Sequence, residues 1–298
     1  MLANLIAELL DIEMSAVYRR LRGTVYFSFT EMAIIAKKLG ISLDKIAGIE
    51  NEQSRPAQIN ISNQFNPTPM DYEMFTGHVD LLQSIMDEPD TQIIEASNLI
   101  PHYLYQDYEY LSRYYIFRWN HEVMHGDIVP FHEIIIPEKL RDLQKQTCEY
   151  ARYVSSTRYV WDSMVIQRMV TNIQYFAKAY LIKDEDIALI KGDLMKFVDD
   201  LEKIAIKGAH IDTGKNVSIY ISDIVSDTNY SCLKTPNIHL TLFRAFMLNA
   251  VVTFDEELYH YTCAWIQAMQ KMSTLISVTN EKARTRYFQT QRDIINTL

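Results

Sequence analysis

Apolar residues recur at helical spacing from the second position of the chain. Leu2, Leu5, Ile6, Leu9 and Leu10 share one broad stripe, which predicts a helix over 2–10. Asp11-Ile12 interrupts it, and a second short helix is expected over 13–22, with Val17 and Leu21 at i, i+4 turned inward, Ala7 at the close approach and Ile12 plugging the turn. Gly23 suits a C-cap. Ser28 and Glu31 then form a capping box, with Phe27 and Met32 as a staple, and start a helix to Leu39. Gly40 ends that helix, and Ser42 caps a final short one from Leu43 to Ala47.

Periodicity lapses in the polar stretch from Glu50 to Asn66, which divides the chain into a small unit over 1–50, a linker over 51–66 with one short extended piece, and a large domain over 67–298. Thr68 followed by Pro69 opens a helix to about Met86, and Pro101 opens a long aromatic one, "PHYLYQDYEYLSRYYIFRWNHEVM". Helical patterns follow at about 137–155, 158–182 and 184–206. The segments "NVSIYISDI", "YSCLK", "IHLTLFRA" and "NAVVTF" then read as strands of a small antiparallel sheet. Thr253 and Glu256 suggest another capping box and a helix to Leu275, and a basic helix from Asn280 closes the chain. The expected fold class is mainly α, α+β overall: a helix-turn-helix followed by a large helical domain with a small antiparallel sheet near the C-terminus.

Composition agrees with a globular protein. The 298 residues are 48% hydrophobic and 22% charged, enough to bury a core in each of two domains. No apolar run approaches the roughly 20 residues of a membrane span, no signal-peptide order is present, and three scattered cysteines suit free buried thiols, so a cytoplasmic location is expected. The net charge of -9 opposes nucleic-acid binding only until it is located. Residues 1–50 hold six Lys+Arg and six Asp+Glu, so the remainder carries all the acidity.

With Val17 and Leu21 inward, Ser15, Arg19 and Arg22 fall on the opposite face of the second helix, flanked by Glu13, Met14 and Tyr18. Arginine can take guanine bidentately, serine a base or phosphate, and methionine a thymine methyl, so these are the candidate groove residues; Lys37 and Lys38 are candidate phosphate contacts. A solvated charged face is the alternative. The stretch "LANLIAELLDIEMSAVYRRLRGTVYFSFTEMAIIAKKLGISLDKIAG" resembles the phage-repressor (Xre-like, BetR-like) helix-turn-helix, in the version of Bacteroidetes transcriptional regulators with a "YRRLRG…FSF.E…ISLDK" signature. Asp11 stands where a turn glycine is common, and the usual preceding first helix is missing. "EASNLIPHYLYQDYEYLSRYYIFRW", "VVTFDEELYHYTCAWIQAMQKMSTLIS" and "NEKARTRYFQ" resemble the C-terminal part of the same regulators, a domain without an assigned ligand. The resemblance implies double-stranded DNA as a partner, a homodimer formed through the C-terminal domain, and an effector of unknown identity.

One string invites a different chemistry. "HEVMH" matches the zincin pattern, in which His121 and His125 bind zinc and Glu122 polarises water. Against it, Gly126-Asp127 and Pro130 end the helix at once, His132 falls one residue late for the extended motif, and a third ligand would have to be a distant carboxylate such as Glu149. A structural site on His121, His125 and His132 is a weak candidate, and solvated or capping histidines are favoured. No phosphate loop, serine elbow or Cys-His pair stands out, so neither an enzyme nor a cofactor is expected. The aromatic helix after Pro101 is foremost core, though such residues also line pockets. A protein-interaction module with a vestigial helix-turn-helix is the second reading, and a zinc metallopeptidase a remote third.

Overall fold

The computed structural model describes residues 2–39, 43, 57–86, 88–123 and 128–298. The chain forms two compact units, Met1–Pro56 and Ala57–Leu298.

In the first unit, α1 (Leu2–Leu10), α2 (Met14–Leu21) and α3 (Phe29–Leu39) pack around Ile6, Val17 and Ile35, with Ala3, Ala7, Leu10, Ile12 and Phe27 at the margin. The turn between α1 and α2 closes through Asp11 at φ 50° and an Ile12 N–H donated to the Ala7 carbonyl at 3.1 Å. Aspartate tolerates this left-handed conformation where glycine is more usual. Gly23, at φ 73°, ends the second helix. The capping box of α3 is present: the Ser28 N–H donates to Glu31 Oε2 at 2.7 Å, and the Glu31 N–H to Ser28 Oγ at 3.2 Å. The inward pair is only half realised, because Val17 is fully buried while Leu21 is 47% exposed. The short helix expected over Leu43–Ala47 and its Gly40 and Ser42 punctuation lie, Leu43 apart, outside the described residues.

The second unit is built on a sheet that overturns the expected fold class: the sheet is large and mixed, not small and antiparallel. It has eight strands among the described residues, in the order β1 (Gln58–Asn60), β7 (Asn249–Thr253), β6 (His239–Ala245), β5 (Tyr230–Lys234), β2 (Gln92–Ser97), β3 (Ser156–Asp162), β4 (Asn216–Ser222), β8 (Thr274–Leu275). The four expected segments became β4 to β7. The missed members are β2 and β3 at the centre, which run parallel to each other and to β4, and β8 at one edge; β1 at the other edge is the short extended piece expected between 51 and 66. β2 and β3 are buried on both faces, so their sequences carry no alternation of polar and apolar positions, and β3 sits between two helices whose periodicity absorbs it.

Helices α4 (Pro69–Ser84), α5 (His102–Tyr105), α6 (Glu109–Val123), α7 (Glu138–Ala151), α8 (Val165–Lys178), α9 (Asp184–Lys207) and α11 (Glu281–Ile295) build the main core against the sheet, with Trp119, Tyr114 and Phe117 of α6 and Trp161 and Tyr159 of β3 fully buried. The other sheet face carries α10 (Glu256–Lys271), whose Tyr259, Cys263, Ile266 and Met269 pack on Ile94, Ala96, Val160 and Cys232. The aromatic segment after Pro101 is two helices, not one. The Asp193 carboxylate of α9 accepts the Tyr110 N–H at 2.6 Å and so caps a fresh helix start at α6. At α10 the cap is Asp255, which accepts the Leu258 N–H at 2.8 Å, and not Thr253.

Candidate nucleic-acid interface

Helix α2 is short, eight residues, and about 12 Å long at 1.5 Å per residue, comparable to the width of a DNA major groove of about 12 Å. Burial of Val17 fixes its rotation. Ser15, Tyr18, Arg19 and Arg22 are then exposed, as is Glu13 at the N-cap, while Met14 is half-buried. Ser15 Oγ lies 3.4 Å from Glu13 Oε2. Among the described residues, neither Arg19 nor Arg22 makes an ion pair or side-chain hydrogen bond, so both guanidinium groups are free for an external anion. Lys38 is exposed on α3; the side chain of Lys37 lies outside the described residues.

Arg20 behaves differently from its neighbours. It points back to α3, where Nη2 donates to Glu31 Oε1 at 2.7 Å and Nη1 to the Ala16 carbonyl at 3.4 Å. Glu31 also accepts from the Ser28 N–H, and that backbone bond, followed by the Arg20 side chain, holds its carboxyl below the usual range. The residue that caps α3 therefore also ties α3 to α2. The sequence reading missed this pair, for which the only signal was the middle arginine of "YRRLR", Arg20, falling off the outward face.

The "HEVMH" residues sit elsewhere. His121 packs at a tilt against Phe117 and Phe176 and its Nε2 is 3.0 Å from the Val129 carbonyl; Glu122 pairs with Arg118; His125 lies outside the described residues. His132 is partly exposed, 3.5 Å from Lys183 Nζ. The nitrogen of His121 that would meet a metal is directed at a carbonyl. Among the described residues, one group offers three ligand atoms within 4.8 Å, and it is not this one: His239 of β6, half-buried, with the exposed Glu256 and His260 of α10, His239 Nδ1 lying 2.7 Å from Glu256 Oε1. Its signal in sequence is the i, i+4 Glu-His pair, which without the fold nothing joins to His239. Cys148, Cys232 and Cys263 are free and buried. No described helix is long and apolar enough to cross a membrane.

Residues 2–75 match the model of the BetR domain, a helix-turn-helix-like domain, so the match covers the three helices just described and continues into α4. No curated protein and no solved structure matches the chain.

Proposed function

We propose that the protein is a cytoplasmic, sequence-specific DNA-binding transcriptional regulator whose large C-terminal domain responds to a ligand or a partner. The observation that carries this reading is the presentation of Arg19 and Arg22, unpaired, on the exposed face of α2 within the BetR match. Helix α2 enters the major groove; Arg19 and Arg22 take guanines or phosphates, Ser15 and Tyr18 lie beside them, and Lys38 approaches the backbone. Two copies joined through their C-terminal domains place their α2 helices in successive grooves about one helical turn, roughly 34–36 Å, apart. Dimerisation also answers the charge problem, since a neutral reading unit binds weakly and two copies add their contacts.

Selection from random-sequence DNA tests the reading. The wild type enriches a pseudo-palindromic sequence and Arg19→Ala/Arg22→Ala does not; absence of any enrichment by the wild type overturns the proposal. Gel filtration at micromolar concentration tests the dimer, and a monomer there removes the two-groove arrangement.

A further inference from the structure

The second unit has two adjoining, half-open cavities of about 300 and 150 Å³, the larger between α4 and the sheet and the smaller reaching α7 as well. Their floor follows from the sheet register. Glu95 of β2 faces Ser231 of β5, Ser231 faces Leu242 of β6, and Leu242 faces Val252 of β7, so these residues line one face of the sheet and border the larger cavity. The walls of the larger cavity are chiefly apolar, whereas Gln64, Gln106, Gln144 and Asn249 are among the residues lining the smaller one. Three polar groups lie where the two cavities meet: Arg244 of β6, His102 of α5 and His78 of α4.

Arg244 has no anion. Its Nη2 donates to His102 Nδ1 at 2.8 Å and its Nη1 to the Leu248 carbonyl at 3.3 Å, and no carboxylate among the described residues lies within ion-pair distance. Glu95, the acid lining the same cavity, is already held by Ser97 Oγ at 2.6 Å and by the Tyr103 hydroxyl; burial raises its pKa, outweighing those two bonds and a weaker attraction to Arg244 that falls short of an ion pair. The histidines add no charge: burial, with Arg244 beside them, brings His78 to about 4 and holds His102 well below its ordinary value.

The tautomers follow from the donors. Arginine has no acceptor, so His102 Nδ1 accepts and its Nε2 carries the proton. That Nε2 lies 3.4 Å from His78 Nε2, which therefore accepts and leaves His78 with its proton on Nδ1. The junction thus offers the remaining guanidinium N–H groups and one imidazole N–H, and a single positive charge without a counter-ion in an apolar chamber. A partly buried charge is costly until it is paired.

From this geometry we infer that the cavity binds a small amphipathic carboxylic acid as its monoanion, the carboxylate at Arg244 and the apolar body against the aliphatic floor. One guanidinium matches one planar carboxylate by charge and by fork geometry. A cavity of about 300 Å³ is at the lower end of the range for small-molecule pockets, which suits a short acid and not a peptide. The inference rests on the ligand-responsive reading of the C-terminal domain and names its ligand class.

The test is calorimetry on the full chain with hexanoate, decanoate and phenylacetate, each against its primary amide. At least one acid binds ten or more times tighter than its amide, and Arg244→Met abolishes that preference. Gly77 of α4 borders the cavity with open space where a Cβ would stand, so Gly77→Leu fills it while favouring the helix; this variant keeps its thermal midpoint and loses the acid. Failure of all three acids to bind, amides that bind equally, or an unchanged preference in Arg244→Met overturns the inference. DNA selection, run separately, keeps the two readings apart. Selected DNA without acid binding sinks only the ligand, whereas acid binding without selected DNA sinks only the regulator.

Discussion

The proposed function gives separate roles to Arg19 and Arg20 of α2 and to Arg22 at its C-cap, and substituting them one group at a time tests the assignment. Among the described residues the Arg19 and Arg22 side chains make no ion pair or hydrogen bond, so Arg19→Ala/Arg22→Ala leaves the melting of the first unit unchanged. If each arginine makes one bidentate base contact, about 1–3 kcal/mol is lost per residue. At about 1.4 kcal/mol per tenfold change, the pair weakens a selected site by between about 30-fold and 10⁴-fold per copy. If instead they meet phosphates, the slope of log K against log salt falls by about 0.9 for each, and non-specific DNA is affected equally. Val17→Ala is the opposite control. It removes two methyl groups from a side chain with no exposed surface, at about 0.8 kcal/mol each plus the cavity left behind, or roughly 2–3 kcal/mol from a cluster that among the described residues centres on Ile6, Val17 and Ile35. Arg20→Met unties α2 from α3 and lowers the melting midpoint before it affects any base contact. Fluorescence anisotropy at several salt concentrations, with circular dichroism melts of the same samples, reads both quantities. Unchanged DNA affinity in Arg19→Ala/Arg22→Ala, or a melting loss there as large as that of Val17→Ala, refutes the assignment.

Three further outcomes concern the second unit. Asp71, buried at the start of α4, accepts the Asn63 N–H at 2.9 Å, the Thr68 N–H at 2.8 Å and the Thr68 hydroxyl at 2.7 Å, so Asp71→Ala strands these donors and costs about 1–3 kcal/mol in urea denaturation. Burial lowers His210 to about 4 from its ordinary 6.5. A depressed histidine leaves stability intact above the unfolded value and removes it between about pH 6.5 and 4, by about 2 kcal/mol at pH 5. His210→Gln therefore gains on the wild type by that amount between pH 7 and 5, and parallel pH profiles contradict the shift. Gly208 closes α9 at φ 68°, and a Cβ there would run into the Val278 side chain. Gly208→Ala costs about 1–3 kcal/mol, of which Gly208→Ala/Val278→Ala recovers only the steric part.

Legibility in the sequence tracks how local each determinant is. The helix ends from Leu2 to Leu39 were readable because caps and turns act over three or four residues: Asp11, Gly23 and the Ser28/Glu31 box each settle a boundary by themselves. Leu21 was misjudged because an i, i+4 partner of Val17 is buried only if another element covers it, and α2 ends there with its last turn exposed. The central strands failed for a related reason. Gln92–Ser97 and Ser156–Asp162 take their conformation from each other and from β4 and β5, at separations of 60 residues and more, and strands buried on both faces show no alternation to betray them.

The same distinction governs the functional groups. That Arg19 and Arg22 share an exposed face could be read from spacing, since a helix alone decides which side chains share a face. Nothing near Arg244 in the chain marks it, because its meaning comes from His102, 142 positions earlier, and from the lack of an acid that only the folded sheet can reveal. A reading face can be recognised in a single helix, whereas a ligand chamber is a property of the assembled sheet. It follows that substitutions at Arg19 and Arg22 act where they stand, and that changes to the packing of α4 over β6, far from Arg244 in sequence, alter the chamber as much as a change to the arginine itself.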